Sequence, residues 1–307
     1  MANDGGAEGR KVRWGVQKRL EFLDFRLLWE GGFRREALTQ KFGISPQQAS
    51  TDIGDYQRMV PGNCVYDPVA KAYVRGESFE PRFSASAADR FLLQLVAIES
   101  GWLSREETWF ETPPPVEVVP LRRKPTNAHH LMAVLDAIRL GQEVEVFYQA
   151  LTGTPDHWRW IAPHALFFSA GRWYARAWSR EPNAFRDFNL HRIADVRDAR
   201  PSPVNASLDL QWAHQIDLIL EPNPRLDEAR RQAIASEYEM VDGKLTLFTR
   251  LSLAFYLMSE HNLDVPDENN LSPLKQQLVL TNLDSVVRAR QVTEELAKQS
   301  LARLQIS

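Results

Sequence analysis

The feature that most constrains the fold is a stretch between residues 145 and 197 in which aromatic and arginine residues alternate with other side chains. Apolar side chains recur at every second position in two runs around it: Val144, Val146 and Tyr148, then Trp173, Ala175 and Ala177. A period of two is typical of half-buried strands. The sequence therefore predicts a small sheet in this region and argues against a helical bundle.

Length and composition favour a globular protein of two or three domains. The chain has 307 residues, of which 44% are hydrophobic, enough for several separate cores. It contains no run of eighteen apolar residues, and residues 1–11 lack an apolar signal-peptide core, so we expect a cytoplasmic protein with no membrane partner. The single Cys64 excludes an intramolecular disulfide. With a net charge of −3, any nucleic-acid interface must be argued from where the charges lie.

Residues 10–35 carry such a local excess, with eight Lys or Arg against three Asp or Glu, which favours contact with phosphates. Three leucines at helical spacing predict a first helix that a glycine pair ends: Leu20, Leu23 and Leu27, then Gly31 and Gly32. A short helix is predicted from about Arg35 to Lys41. The glycine-containing turn at 42–44 should end it.

The next predicted helix has the clearest start. Ser45 is its predicted N-cap, Pro46 suits its first position, and Gln48 would complete a capping box. One face is apolar and predicted to be buried: Ala49, Ile53 and Tyr56. The polar residues on the other faces could meet base edges and phosphates.

Residues 63–75 read as two short strand-like runs around an Asp67-Pro68 turn, which is typical of a wing. Together these elements predict a winged helix-turn-helix. The candidate DNA-binding residues lie on the capped helix, on the wing and just before the short helix: Ser45, Gln47, Gln48, Ser50, Thr51, Arg58, Lys71, Tyr73 and Arg34. Arg75 is also expected to reach the DNA backbone. The same helical pattern occurs in proteins that bind no DNA, and Gln48 could be fully occupied as a cap.

Residues 81–125 are predicted to be a connector. A helical pattern covers 86–99, and prolines at 113–115 and at Pro120 then favour an extended, semi-rigid spacer. The apolar helix is expected to be core or a dimer contact, placed where one subunit's DNA-binding domain crosses onto its partner.

An amphipathic helix is predicted from Leu131 to Leu140, and several motifs follow it in order: Phe147-Tyr148, Arg159 four residues before Pro163, His164-Ala165-Leu166, Gly171 with Trp173-Tyr174, and the run from Phe185 to Ile193. This series resembles the WYL domain, a ligand-sensing β-domain of bacterial transcription factors, with Ala175 in place of the motif leucine. The resemblance is closest to the branch that controls anti-phage defence operons such as BREX and CBASS. It implies a small, Sm-like, β-barrel-like domain between a winged helix and a dimerising C-terminal extension.

The candidate ligand-binding residues share forked donors, phenols, an amide or imidazoles near aromatic faces: Tyr148, Arg159, His164, Tyr174, Arg186, Asn189, His191 and Arg192. Guanidinium groups clamp phosphates and aromatic rings stack on bases, so we expect a nucleotide or a short oligonucleotide. Structural roles remain open for single residues. Trp173 and Phe188 would then be core, Arg159 would pair with a surface acid, and His164 would cap a turn.

Residues from Val204 to Ser307 carry fifteen acidic against ten basic residues, so this part is expected to assemble the protein and not to bind DNA. Helices are predicted at 226–238 and 251–258, a strand at 244–249, and mixed strand and helical character at 278–287 and 292–304. An independent domain with its own ligand is the alternative.

The sequence thus predicts a multidomain α+β protein with a winged helix-turn-helix at 1–80, a connector at 81–125, a WYL domain at 126–202 and a dimerisation extension at 203–307. No hydrolase, phosphate-loop or metal-ligand motif occurs, so we expect no enzyme, no cofactor and no metal. The expected function is a homodimeric repressor of a phage-defence operon that binds an inverted-repeat, double-stranded operator. The alternative is a sensor or scaffold that acts through protein contacts without specific DNA binding.

Overall fold

The computed structural model of the chain describes residues 14–83, 88–119, 123–151, 156–264 and 271–304. The chain divides into two compact units, residues 1–121 and residues 122–307. In the described part of the chain, no helix is both long enough and apolar enough to cross a membrane.

The first unit combines helices with a small antiparallel sheet. Its helices are α1 (Trp14–Glu30), α2 (Arg35–Phe42), α3 (Pro46–Met59) and α4 (Ala88–Glu99), and a 3-10 turn covers Arg105–Glu107. Its strands are β1 (Gly32–Phe33), β2 (Cys64–Asp67) and β3 (Ala72–Arg75), in the order β1-β3-β2. The hairpin of β2 and β3 is the predicted wing. This arrangement confirms the predicted winged helix-turn-helix.

Local sequence signals explain these elements. The predicted leucines of α1 are fully buried and pack with the apolar face of α3 in one core: Leu20, Leu23, Leu27, Ala49, Ile53 and Tyr56. Gly43 adopts φ 61°, a left-handed conformation that ends α2 and that glycine takes at little cost. At Gly32, an added Cβ would lie 2.5 Å from the carbonyl oxygen of Tyr73, so the close pairing of β1 with β3 requires glycine.

Residues 104–112, which we call the strap, precede the predicted spacer and pack against α1 and α2 of the same unit. Trp109 contacts Phe25 edge to face, with ring centroids 5.7 Å apart, and Phe110 is buried against the same ring at 5.3 Å. Lys41 Nζ donates to the carbonyl oxygens of Glu106 and Thr108 at 2.6 and 2.7 Å. Residues 113–119 have no regular secondary structure, and Pro120 lies outside the described residues.

The second unit begins with a helix on a five-stranded sheet. The helix is α5 (Ala128–Leu140), and the strands are β4 (Gln142–Tyr148), β5 (His157–Ser169), β6 (Arg172–Ser179), β7 (Ala184–Asn189) and β8 (Ile193–Pro201). The strand order is β7-β6-β5-β4-β8, and all neighbours are antiparallel.

The sheet is open and is not the closed barrel that a barrel-like domain could form, because no strand pairing joins β7 to β8 among the described residues. The edge strand β7 nevertheless approaches β4 across the sheet, since the Tyr148 hydroxyl on β4 accepts a hydrogen bond from the Asn189 backbone amide at the end of β7, at 3.1 Å. Register shifts in β4 and β5 are the kind of irregularity that bends a sheet in this way.

Both faces of β6, the strand between β7 and β5, are covered. On one face the alternating apolar residues pack with α5: Val144, Val146, Ile161, Ala175 and Ala177, with Val134 and Ala137. On the other face Trp178 packs with Leu301 from the C-terminal region. A strand covered on both faces shows burial at successive positions, which is what β6 has from Tyr174 to Ser179.

The C-terminal region of this unit contains α6 (Leu210–Ala213), β9 (Gln215–Pro222), α7 (Glu228–Glu237), β10 (Leu245–Arg250), α8 (Leu251–Glu260), β11 (Leu278–Leu280) and α9 (Leu283–Leu304). The three strands form a sheet in the order β10-β9-β11. The predicted helices α7 and α8 and the predicted strand β10 are confirmed. The mixed strand and helical character expected at 278–287 and 292–304 is also confirmed, because the short strand β11 is followed by the continuous helix α9.

Candidate nucleic-acid interface and ligand site

The start of α3 is fixed by its N-cap. Ser45 Oγ accepts a hydrogen bond from the Gln48 amide at 3.1 Å, and Pro46 occupies the first turn. The predicted capping box was wrong in its second half, because Gln48 Nε2 donates to Asp52 Oδ1 at 3.0 Å. Asp52 is buried and also holds Arg19 Nε at 2.6 Å. Gln48 is therefore engaged within the fold by its side-chain amide.

The outward side of α3 is polar. Gln47, Ser50 and Thr51 are exposed. The hydroxyls of Ser50 and Thr51 donate to carbonyl oxygens one turn earlier, at 3.0 and 3.1 Å. The Ser50 oxygen also accepts a hydrogen bond from Arg35 Nη1 at 3.3 Å, which leaves one of its two lone pairs as an acceptor. Arg58 is paired with Asp55 on the same helix. The side-chain amide of Gln48 is bonded to Asp52, whereas Gln47 presents an exposed side-chain amide. An amide of this kind matches adenine in the major groove.

A cationic cleft lies between the start of α2 and the wing. It has a volume of about 650 Å³, and the residues that line it include three cations, Arg34, Arg35 and Lys71, one acid, Glu36, and the rings of Tyr66 and Tyr73. We call it the wing cleft. Three of the predicted DNA-binding residues, Arg34, Lys71 and Tyr73, are thus brought together. An electropositive cleft of this kind suits phosphate groups.

Tyr73 forms the aromatic wall of the wing cleft. Its ring stacks on Phe33 with centroids 5.3 Å apart and meets Tyr66 at 5.2 Å. Burial raises the pKa of Tyr73, so its hydroxyl keeps its proton at neutral pH and can donate a hydrogen bond.

Other cations of the first unit serve the fold. Arg75, expected to reach the DNA backbone, instead donates from Nε to the Leu27 carbonyl at 2.7 Å and from Nη2 to the Leu28 carbonyl at 2.8 Å. This contact satisfies carbonyl groups at the C-terminal end of α1. Lys18, Arg19 and Arg26 form ion pairs with Glu21, Asp52 and Glu30. Arg10, Lys11 and Arg13 lie outside the described residues.

In the second unit, four predicted ligand residues form one chain of contacts. Arg159 lies over the Tyr148 ring at 5.4 Å, and Asn189 donates from its amide to the Tyr148 hydroxyl. Asn189 Oδ1 accepts from the amide of His191 at 3.0 Å. Tyr148 and Asn189 are buried and are hydrogen-bonded to each other. Arg159 Nε and His191 Nδ1 are buried atoms without a hydrogen-bond partner among the described residues, so they retain capacity for a ligand.

The surroundings of His191 are cationic. Burial, followed by the charges of Arg123, Lys124 and Arg172, lowers the pKa of His191. The imidazole is therefore neutral at pH 7 and can offer one nitrogen as an acceptor or a donor. Arg123 Nη1 donates to the Gly171 carbonyl at 3.0 Å, which fixes this arginine at the turn between β5 and β6.

His164 and Tyr174 lie in a second group that sequence reasoning did not find. His164 Nε2 is 2.9 Å from Asp209 Oδ2, and Arg176 bonds the same carboxylate through Nε at 2.7 Å and Nη2 at 3.0 Å. Arg176 Nη1 also donates to Asp187, which accepts from the Tyr256 hydroxyl at 3.0 Å. We call this group the buried joint. It connects the five-stranded sheet to the C-terminal region.

The electrostatics of the buried joint are those of a structural network. Arg176 is 4% exposed and Asp209 2% exposed. Burial raises the pKa of Asp187, whereas for Asp209 hydrogen bonds from His164 and Arg176 outweigh burial and lower the pKa. Tyr174 stacks on Phe167 at 4.9 Å beside this network. The only sequence signal was a polar residue at position 176 between two buried alanines.

Three remaining residues are placed at the surface or beside it. Arg186 is exposed on the edge strand β7, and Arg192 is half-buried, with its carbonyl oxygen accepting from the Gln149 amide. Trp173, for which a core role was the structural alternative, is 47% exposed and contacts Phe168 with ring centroids 5.2 Å apart, so it is not a core residue. Phe188 is core, as expected.

Comparison with known proteins agrees with this architecture. Family models match residues 15–97 (BrxR transcriptional regulator winged helix-turn-helix domain), 129–198 (WYL domain) and 215–286 (BrxR transcriptional regulator, C-terminal dimerization domain). The predicted winged helix and WYL domain are thereby confirmed.

The chain is also similar over nearly its whole length to curated proteins. The DNA-binding transcriptional repressor CapW of Pseudomonas aeruginosa is 36% identical over 291 residues, which cover 91% of this chain and 94% of that protein. CapW of Stenotrophomonas maltophilia is 34% identical over 278 residues, covering 90% and 92%. Among solved structures, the proteasome accessory factor B/C (PafBC) of Arthrobacter aurescens matches 99% of this chain and 52% of its own, at 15% identity and a TM-score of 0.25, a likeness too distant to support an argument. The chain belongs to the family of WYL-domain transcriptional regulators that includes the CapW repressors.

Proposed function

We propose that this protein is a dimeric, sequence-specific DNA-binding repressor of a phage-defence operon, regulated by an effector in its WYL domain. The observation that carries the proposal is the outward polar side of α3 beside the cationic wing cleft. Similarity over almost the whole chain to proteins named DNA-binding transcriptional repressors supports it. In this organisation, residues 1–80 bind DNA, 81–125 connect, 126–202 sense the effector and 203–307 dimerise.

The DNA contacts divide between reading and positioning. In winged helices of this kind, the capped helix enters the major groove, so α3 brings Gln47, Ser50 and Thr51 to base edges. Arg34 and Lys71 line the wing cleft and meet phosphates, which position the protein without reading sequence. The Tyr73 hydroxyl can donate to the same backbone.

The dimer is assigned to the C-terminal region. This region matches a dimerization domain at 215–286, and its exposed large apolar side chains include Phe248 at 68% and Phe255 at 49%. Apolar groups of this size on a surface are typical of interfaces. A two-fold dimer requires an inverted-repeat operator whose half-sites lie about 10 base pairs or a multiple apart.

The effector site is assigned to the WYL domain, at the chain of contacts formed by Arg159, Tyr148, Asn189 and His191. Arg159 Nε and His191 Nδ1 supply unpartnered polar atoms there. Guanidinium and imidazole beside aromatic rings suit a nucleotide or a short nucleic acid. We expect such a ligand to change operator affinity.

Fluorescence anisotropy on duplex DNA from upstream of the gene tests the repressor proposal. We expect Gln47→Ala to reduce discrimination between operator and scrambled duplex by about 1–3 kcal/mol, the value of one bidentate base contact. Lys71→Ala should weaken binding to both duplexes and reduce the salt slope by about 1. Lys298→Ala on α9 is the matched control. Equal affinity of the unmodified protein for both duplexes would contradict the proposal and favour the sensor or scaffold alternative.

A further inference from the structure

We propose that a cavity in the winged domain binds a small, planar aromatic carboxylate and that this ligand engages Arg34. The cavity lies at the C-terminal end of α1, where residues of α1, β1, the wing, α4 and the strap meet, and we call it the α1 cavity. All of its lining residues belong to the first unit. Binding at this place is separate from the effector proposed for the WYL domain.

The α1 cavity has the size of a small-molecule site. Its volume is about 790 Å³, within the range of about 300–1,000 Å³ that is typical of ligand pockets. Glu30, Glu111 and Thr112 are among its lining residues. Glu30 Oε1 accepts hydrogen bonds from the amides of Glu111 and Thr112, each at 2.8 Å, which holds the strap in place beside the cavity. The cavity is therefore preformed.

An aromatic pair lines part of the α1 cavity. The rings of Trp29 and Phe91 are stacked, with centroids 4.4 Å apart and an interplanar angle of 20°, and both residues are half-buried. The buried Phe110 contacts Phe91 edge to face at 5.3 Å and supports the pair. Because part of each ring stays accessible, a flat aromatic ligand can pack against the pair.

Two arginines of the α1 cavity have donors available for an anion. Arg34 is exposed, and its guanidinium has no hydrogen bond or ion pair in the part of the chain that the structure describes. Arg75 uses Nε and Nη2 for the carbonyl groups of Leu27 and Leu28, whereas its Nη1 has no hydrogen-bond partner among the described residues. Guanidinium donors match the planar geometry of a carboxylate.

The charge of the lining favours a monoanion. It contains three arginines and two glutamates, an excess of one positive charge. The third arginine, Arg26, pairs with both Glu30 and Glu111. An aromatic carboxylate carries one negative charge at pH 7, whereas a phosphate monoester carries about −1.5 to −2. The two glutamates disfavour the larger charge, so the lining matches a carboxylate.

Arg34 connects the α1 cavity with the wing cleft, because its side chain lines both. One guanidinium would thus serve a carboxylate in the first place and a DNA phosphate in the second. A bound carboxylate should therefore weaken the phosphate contact and lower operator affinity by about tenfold, the order of one charge-assisted contact. This consequence, unlike ligand binding itself, rests on the proposed repressor function.

Isothermal titration calorimetry of the full chain without DNA tests ligand binding. The probes are indole-3-acetate, its neutral analogue indole-3-acetamide, and cyclohexylacetate, which keeps the carboxylate without a flat ring. We expect indole-3-acetate to bind at least about tenfold more tightly than either analogue, since it alone combines the charge with the aromatic ring. Equal affinity for indole-3-acetate and its amide, or no binding of either, would overturn the proposal.

Variants assign the binding to the α1 cavity. Arg34→Ala should lower the affinity for indole-3-acetate at least about tenfold, whereas its neighbour Arg35→Ala, which lines only the wing cleft, should not. Phe91→Leu should weaken binding about two- to tenfold, and Leu93→Ala, at a residue 67% exposed on the same helix, is the matched control. Arg159→Ala should have no effect, and loss of binding in that variant would place the ligand in the WYL domain and overturn the proposal.

Fluorescence anisotropy on duplex DNA tests the shared role of Arg34. Saturating indole-3-acetate should lower the operator affinity of the unmodified protein about tenfold and leave that of Arg34→Ala unchanged. An unaltered affinity of the unmodified protein, or an equal fall in both proteins, would contradict this role. Calorimetry without DNA reports on the ligand alone, so failure of this proposal is distinguishable from failure of the repressor proposal.

Discussion

Arg34 and Arg75 are both exposed arginines of the winged domain, yet their surroundings assign them different roles. Arg75 bonds two carbonyl groups at the end of α1, whereas Arg34 lines the wing cleft. We expect Arg75→Ala to lower the free energy of unfolding by about 1 kcal/mol, a typical net value for such bonds, and to leave the salt slope of operator binding unchanged. Arg34→Ala should leave the free energy of unfolding unchanged and reduce the salt slope of operator binding. Urea titration and anisotropy distinguish them, and the same pattern for both variants would contradict the assignment.

His191 provides a second test at this scale. Burial and three nearby cations lower the pKa of His191 in the folded protein below its value in the unfolded chain. The contribution of His191 to stability is therefore fully present above the unfolded pKa, and it is lost as the pH falls through the lower, folded pKa. Removing a cation should shift the pKa back upward. We expect Arg172→Ala to raise the pKa of His191, measured by NMR titration of the imidazole, and Arg139→Ala on α5 to leave it unchanged. An unaltered pKa of His191 in Arg172→Ala would show that the charge of Arg172 does not act on this imidazole.

The strap is the element whose role is least apparent from its composition. Glu30 Oε1 accepts hydrogen bonds from the amides of Glu111 and Thr112, each at 2.8 Å. Replacing this carboxylate weakens two charge-assisted bonds, so we expect Glu30→Gln to cost about 1–3 kcal/mol in the first unit. Hydrogen exchange should accelerate at the amides of 111 and 112. Glu36→Gln, on the exposed start of α2, is the control, and unchanged exchange in Glu30→Gln would refute the role of this contact.

Elements specified by local spacing were predictable, and those specified by distant contacts were not. The leucines of α1 and the Ser45 cap carry their signals within one or two turns of helix. The strap depends on Trp109 meeting α1 across more than eighty residues, which no local pattern shows. Trp173 alternates in phase with the core residues Ala175 and Ala177. It is the second residue of β6, however, and lies outside the core that packs against α5.

The candidate site divides in the same way. Tyr148, Asn189 and His191 belong to the motifs that resemble those of the WYL domain, and the fold brings these three residues into contact. Arg176 lies at a position that alternation assigns to an outward face, and only the C-terminal region, through Asp209, makes it buried. Its partner follows 33 residues later, so sequence spacing gives no reason to pair them.

At the scale of the whole molecule, the buried joint makes the sheet and the C-terminal region interdependent. Replacing Arg176 by methionine would leave Asp187 and Asp209 buried without their guanidinium, a change that typically costs about 3–5 kcal/mol. We expect residues 122–307 of the unaltered chain to unfold in one transition, and Arg176→Met to lower its midpoint. Arg197→Met, on an exposed ion pair, should change it little. Calorimetry that shows equal effects of both substitutions would contradict the structural role of the joint.

In the proposed dimer, the two winged domains bind the operator together. If α3 reads the major groove of each half-site, the two copies of the winged domain protect DNA at positions related by a two-fold axis. In the proposed complex, Arg34 and Lys71 would contact DNA phosphates and Gln47 would contact bases. Such a dimer therefore has a predictable pattern of protection on the DNA, and this pattern depends on named residues.

Hydroxyl-radical footprinting of the full chain on its upstream DNA tests that account most directly. We predict two protected half-sites in an inverted repeat, separated centre to centre by about 10 base pairs or a multiple, and their loss at equal protein concentration in the variant Gln47→Ala. Protection without sequence preference, or a footprint that Gln47→Ala leaves intact, would contradict the assignment of α3 as the DNA-reading element.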